Sequence, residues 1–143
     1  MPGIDECLLE AMRLPGARGA ALVDWTSGLA LGTVGESPGG DPETMAAEAA
    51  ELARLAVEHR AFAPEEEYET GADADEFTVG RREQDPPVED LIISNRDSYH
   101  VLRFVTTSFD SSVFLHLWLA RAEGNLALAR IRLGEMAGRL VLG

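Results

Sequence analysis

The sequence predicts one α+β domain in which a helix, two strands, a helix, three strands and a last helix follow one another. Three observations support this. Apolar residues recur at helical spacing near the N-terminus, and a long alanine-rich segment follows residue 41. Three apolar runs separated by turn residues then precede a final amphipathic segment, which predicts an antiparallel meander. At 143 residues the chain is long enough for a single domain spanning residues 1–143.

The first 34 residues predict a helix and a hairpin. The apolar residues of the helix recur as one face: Ile4, Cys7, Leu8, Ala11 and Met12. Pro15 and Gly16 end this helix. Residues 20–23 and 29–34 are short apolar runs typical of paired strands. Gly28 stands between them, where a tight turn needs positive φ.

The second helix has the clearest start signal. Asp41 suits the N-cap, Pro42 the first helical position and Glu43 the positive end of the helix dipole. Nothing interrupts the helix until about residue 62. Its apolar face is mostly alanine, which allows close approach of another backbone: Ala46, Ala49, Ala50, Ala53 and Ala56, with Met45, Leu52 and Leu55. Three arrangements are open. That face packs on the chain's own sheet, it packs on the same helix of a second subunit, or different faces of the helix make these two contacts.

An acidic segment separates this helix from the last three strands. From Glu65 to Asp90 there are eleven acidic residues and two arginines, without periodicity, so we expect a mobile loop at about 63–87. Strands are predicted at 88–94, 99–106 and 113–120. The last of them is apolar on both sides, as in a central strand. A helix from about 123 to 142 closes the domain.

Composition and motifs argue against several function classes. The net charge is −13, which disfavours binding to nucleic acid. The chain has no lysine, so a phosphate-binding P-loop is excluded, and no G-x-G occurs for a dinucleotide site. His59, His100 and His116 lack metal-ligand spacing, and we expect His116 to be a hydrogen-bonded core residue. No nucleophile elbow is present. The sequence predicts no enzyme activity, no metal site and no cofactor.

Two features of the sequence bear on the cellular location. No run of 18 apolar residues could span a membrane, so we expect no membrane insertion. Asp5 and Glu6 stand where a secretory signal peptide needs positive charge. The sequence therefore predicts a cytoplasmic protein.

Several stretches together resemble the roadblock/dynein light chain family. They are "GARGAALVDWTSGLALG", the alanine-rich helix, "LIISNRDSYHVLRFV" and "VFLHLWLARAEGNLALARIRLGEMAGRLV". In that family the first hairpin has a glycine, an apolar strand ending in Asp and a glycine-containing turn, which Gly19, Asp24 and Gly28 match. The resemblance covers nearly the whole chain apart from the acidic segment, which is longer than the family leads us to expect.

The resemblance implies a roadblock/longin-like fold and a homodimer. The fold is a five-stranded antiparallel sheet with helices on both faces, the second helix on one and the first and last on the other. Members dimerise through their second helices and through the strand that follows, here residues 88–94. The dimer interface implied for this chain consists of Met45, Ala46, Ala49, Leu52, Ala53, Ala56, Leu91 and Ile93. A partner would also cover an otherwise unpaired apolar edge.

The function implied by the resemblance is regulatory. Roadblock proteins have no chemistry of their own and serve as dimeric platforms for Ras-like GTPases or motor complexes. Bacterial members resemble regulators of gliding-motility GTPases, and in GC-rich bacteria they also occur in operons with a sensor kinase and a small GTPase. We therefore expect a homodimeric regulator or scaffold for a bacterial Ras-like small GTPase. Two alternatives remain open: an assembly module without GTPase contact, and a small-ligand sensor.

Overall fold

The computed structural model describes residues 3–65, 86–105 and 112–140. Its helices are α1 (Ile4–Ala11), α2 (Pro42–Glu58) and α3 (Leu126–Arg139). Its strands are β1 (Ala17–Asp24), β2 (Leu29–Gly35), β3 (Asp90–Ser94), β4 (Ser98–Val105) and β5 (Val113–Ala120). Short 3-10 turns flank α2 at Pro38–Gly40 and Arg60–Phe62. The predicted α+β class and element order are confirmed.

The five strands form one antiparallel sheet in the order β2-β1-β5-β4-β3. β5 therefore lies at the centre, between β1 and β4, while β2 and β3 form the two edges. Along β5, Leu115 and Leu117 face one side of the sheet and Phe114 and His116 the other, and all four are buried. This confirms the expectation that both faces of this strand are covered.

The helices cover the sheet in the arrangement that the resemblance implies. α1 and α3 pack on one face, where Leu8 and Leu133 join Leu117 in an apolar cluster. α2 packs on the opposite face, where Ala53 joins Phe114 in a second cluster. We call these the α1/α3 face and the α2 face. Burial of apolar surface on both sides supplies the main stabilisation of a sheet between two helical layers.

The β1–β2 turn has the geometry expected for Gly28. This residue has φ +78°, and its N–H donates to the carbonyl of Asp24 over 2.8 Å. The carboxylate of Asp24 accepts hydrogen bonds from the backbone N–H and hydroxyl of Thr26, at 2.9 and 2.7 Å. Burial alone would raise the pKa of Asp24, but hydrogen bonds from Thr26 and Ser27 hold it below its ordinary value.

Three helix boundaries differ from the prediction, and one of them is the end of α3, which falls at Arg139 rather than near residue 142. α2 ends at Glu58 rather than near residue 62. The backbone of His59 is extended and ends the helix, and residues 60–62 continue as a 3-10 turn before Pro64, which keeps Ala63 extended as well. α3 begins after 125 rather than at 123, because the Asn125 side chain caps it by accepting from the N–H of Leu128 over 3.0 Å.

Parts of the prediction fall on residues that the structure does not describe. Residues 66–85 of the acidic segment, and the turn expected between β4 and β5, lie outside the described residues. Within the described ranges, none of the helices is both long enough and apolar enough to cross a bilayer.

Candidate functional site

The start of α2 is fixed by the cap that the sequence predicts. Asp41 accepts a hydrogen bond from the N–H of Glu43 over 3.2 Å and one from the Thr44 hydroxyl over 2.6 Å. The bond from Thr44, followed by that from Glu43, lowers the pKa of Asp41. A carboxylate thus occupies the end of the helix where an anion would otherwise bind. This arrangement disfavours a phosphate site there.

The inward side of α2 packs on the chain's own sheet. Four of the eight residues predicted to form the dimer interface lie on that side, each at most 7% exposed: Met45, Ala46, Ala49 and Ala53. Small side chains let the helix backbone approach the sheet closely. While this packing is intact, these four side chains have little surface with which to contact a second copy.

The outward side of α2 carries apolar side chains that nothing in the described chain covers. Leu52 and Leu55 are 42% and 47% exposed, and Phe62 in the following 3-10 turn is 63% exposed. We call these three residues the outward stripe. Leu52 and Leu55 are three residues apart and so lie on the same side of the helix. Ala56, also predicted to be in the interface, is half-buried.

Strand β3 forms the sheet edge that the resemblance assigns to dimerisation. Leu91 and Ile93 are both half-buried and pair with Leu102 and His100 of β4. Their side chains lie on the α2 face, since Leu91 packs against the apolar cluster under α2. In the described part of the chain, no strand pairs with the other edge of β3. This edge therefore has backbone groups free to pair with another strand.

A polar cluster crosses the α2 face close to this edge. His100 Nδ1 lies 3.0 Å from His116 Nε2, and His116 Nδ1 lies 3.1 Å from the sulfur of Met45. His116 is 5% exposed, and burial, with a smaller effect from His100, lowers its pKa to about 4. The indole of Trp118 stacks against His100 at 5.9 Å between ring centroids. The guanidinium of Arg18 lies 3.7 Å from the Trp118 ring.

The structure confirms one prediction about these side chains and reveals a histidine pair that the sequence did not predict. His116 is the buried, hydrogen-bonded core residue that we expected. The contact between His100 and His116 was missed, because it depends on the β4–β5 register, which places Leu102 rather than His100 directly across from His116. The available signal was that both histidines occupy the same alternating side of their strands.

Within the described residues, no three or more His, Cys, Asp or Glu side chains come together as a metal site would require. His59 lies at the end of α2, away from the other two histidines. Cys7 is buried under α1, and burial raises the pKa of its thiol to about 11, which makes the reactive thiolate rare at neutral pH. What the site offers is therefore a surface: the outward stripe, the β3 edge and the histidine pair.

No protein-family model and no curated protein matches this sequence. Solved structures that share its fold include three of MglB proteins. MglB from Myxococcus xanthus has a TM-score of 0.67 at 14% identity, covering 94% of this chain and 81% of its own. An MglB with a tetrameric arrangement has a TM-score of 0.64 at 17% identity, with coverages of 95% and 83%.

The third structure is the gliding protein MglB from Thermus thermophilus, with a TM-score of 0.65 at 17% identity and coverages of 94% and 83%. In all three comparisons the match spans the sheet and its helices almost from end to end. The chain has the roadblock/longin fold of the MglB proteins.

Proposed function

We propose that this chain is a non-catalytic, cytoplasmic homodimer that regulates, or serves as a scaffold for, a bacterial Ras-like small GTPase. The observation that carries the proposal is the match to MglB proteins over 94% of this chain. One of these is a gliding protein, in line with the sequence resemblance to regulators of gliding-motility GTPases. A sensor kinase encoded nearby would fit the same role.

The dimer part of the proposal rests on the outward stripe and the β3 edge. The exposed leucines of α2 and the edge of β3, with which no described strand pairs, both lie on the α2 side of the sheet, and exposed apolar surface commonly marks an interaction site. A twofold axis beside β3 would bring two α2 helices together and join two sheets by strand pairing. Such an interface is self-complementary, as a symmetric dimer requires.

The dimer is tested by placing charge on the outward stripe. Leu52→Glu combined with Leu55→Glu sets four carboxylates across a symmetric interface, and we expect the dimer Kd to rise about 100-fold or more. Sedimentation velocity over a concentration series measures this constant. Ile131→Glu is the matched control, since Ile131 is 61% exposed on α3, on the opposite face of the sheet. Equal weakening by both changes, or a monomeric wild type, would contradict the proposed interface.

GTPase binding is tested with the small GTPase encoded nearest to this chain. The purified wild-type protein is immobilised and offered the GTPase loaded with GDP or with a non-hydrolysable GTP analogue. We expect retention to depend on which nucleotide is bound, because a regulator must distinguish the two GTPase states. The Leu52→Glu, Leu55→Glu protein shows whether the dimer is needed for this binding. Absence of nucleotide-dependent binding to any cellular GTPase would leave the assembly-module alternative.

A further inference from the structure

The contacts of the histidine pair determine which ring nitrogens carry protons. A thioether sulfur can only accept, so the short contact with Met45 makes His116 Nδ1 the donor. Neutral His116 then has a bare Nε2, which accepts from the Nδ1–H of His100 over 3.0 Å. Within the described ranges, no hydrogen bond uses the lone pair on Nε2 of His100. His100 is half-buried, whereas His116 is enclosed.

This proton arrangement makes His100 the member of the pair that gains charge on acidification. A further proton on His116 would add to Nε2 and face the N–H of His100, which would break the hydrogen bond between them. A further proton on His100 adds to its free Nε2 and leaves that hydrogen bond intact. The pair therefore presents a single group, on the α2 face, that switches between neutral and cationic states.

Among the residues that the structure describes, few charges lie around His100. Its neighbour Trp118 separates it from Arg18, and Arg18 is paired with Glu36 at 3.3 Å. Asp97, in the turn before β4, raises the pKa of His100, but burial has the larger effect and lowers it. α2 and β3 approach the pair with the uncharged side chains of Met45 and Ile93. No acidic side chain in the described chain is bonded to either ring.

His100 also belongs to the surface proposed to meet a second copy. It lies one strand in from the β3 edge and is paired with Ile93, on the face that carries Leu91. A second protomer covering this face would exclude water from the half-buried imidazole. Excluding water from a charged ring without an acidic partner is costly, whereas excluding it from a neutral ring costs much less.

We propose that His100 makes the association of two copies depend on pH, so that the dimer forms with His100 neutral and weakens when His100 takes up a proton. This inference rests on the proposed homodimer. His116 and Met45 act as positioning residues, since they orient His100 through its Nδ1 and leave its Nε2 on the far side of the ring from that hydrogen bond. The regulated step is protein association, and no reaction is involved.

The test measures the dimer Kd of the full chain by sedimentation velocity between pH 7.5 and pH 5.0, with circular dichroism confirming that the protein stays folded. We expect the wild-type Kd to rise about tenfold or more toward pH 5.0, because each dimer must release protons from two His100 rings to form. His100→Gln keeps a neutral polar side chain at this position. Between pH 7.5 and pH 5.0 the dimer Kd of this variant should change less than about twofold, apart from the change that titration of the carboxylates causes. His59→Gln removes the histidine whose ring lies 6.5 Å from that of Phe62 in the outward stripe, and this variant should retain the wild-type dependence.

The possible outcomes separate this inference from the proposed function. A chain that is monomeric at every pH contradicts the homodimer and, with it, the role of His100. A stable dimer whose Kd is constant over this range, or whose dependence persists in His100→Gln, overturns only the role of His100. Loss of the dependence in His59→Gln would also overturn it, because the responsible group would then be on α2.

Discussion

Replacing Gly19 with alanine is expected to destabilise the fold by about 3 kcal/mol, because the new methyl group has no room in the β1–β2 hairpin. A Cβ built on Gly19 would lie 1.9 Å from the carbonyl oxygen of Glu36. That oxygen belongs to the backbone, and the N–H of Glu36 is hydrogen-bonded to the Arg18 carbonyl over 2.9 Å. The clash is therefore relieved only if the hairpin opens. Opening the hairpin would disturb the sheet, because β1 lies between β2 and β5.

Urea unfolding followed by circular dichroism measures this effect at one fixed protein concentration, since dimerisation adds to stability by mass action. Gly138→Ala provides the matched control. A Cβ at Gly138 meets nothing within 4 Å, and this residue lies in α3. Because alanine favours helix over glycine, we expect that variant to be about 0.5 kcal/mol more stable than wild type. Wild-type stability of Gly19→Ala would contradict the hairpin geometry.

The role of Gly19 shows what local sequence patterns can convey. Its match to the roadblock hairpin glycine placed it correctly, and the alternation from Val113 to Ala120 predicted a strand buried on both faces. Such signals are local, because each depends on residues next to one another in the chain. They do not reveal the sheet order, in which β1 pairs with β5 across about a hundred residues of sequence. That pairing joins residues far apart in the chain, so no local pattern predicts it.

The candidate site was harder to predict from the sequence than the order of the elements, because it depends on contacts between residues far apart in the chain. The alanine-rich face of α2 was compatible in sequence with the chain's own sheet, with a second copy, or with each on a different face. The structure places Ala46 and Ala53 against the sheet, and the exposed leucines of the outward stripe therefore became the candidate interface. The pairing of His100 with His116 likewise required the β4–β5 register. Register follows from the whole sheet rather than from either strand alone.

The burial of His116 predicts that the fold loses stability on mild acidification. The pKa of His116 lies near 4 in the folded chain, against an ordinary value of 6.5. Between these values the unfolded chain binds a proton that the folded chain does not, so lowering the pH favours unfolding. The contribution is intact above pH 6.5 and falls progressively toward pH 4, by about 3 kcal/mol in total.

This loss can be separated from general acid unfolding and from dimerisation. The free energy of unfolding is measured by urea titration from pH 7.5 to pH 4.5 in the Leu52→Glu, Leu55→Glu background, with and without His116→Gln. Carboxylates contribute about equally to both proteins, so the difference in slope, about 1 kcal/mol per pH unit below pH 6, belongs to His116. His59→Gln replaces an exposed histidine and should leave the slope of the background protein unchanged. Equal slopes with and without His116→Gln would contradict this prediction. The folded chain would then accommodate a charged ring at position 116, and the α2 face would have to admit water beside Met45.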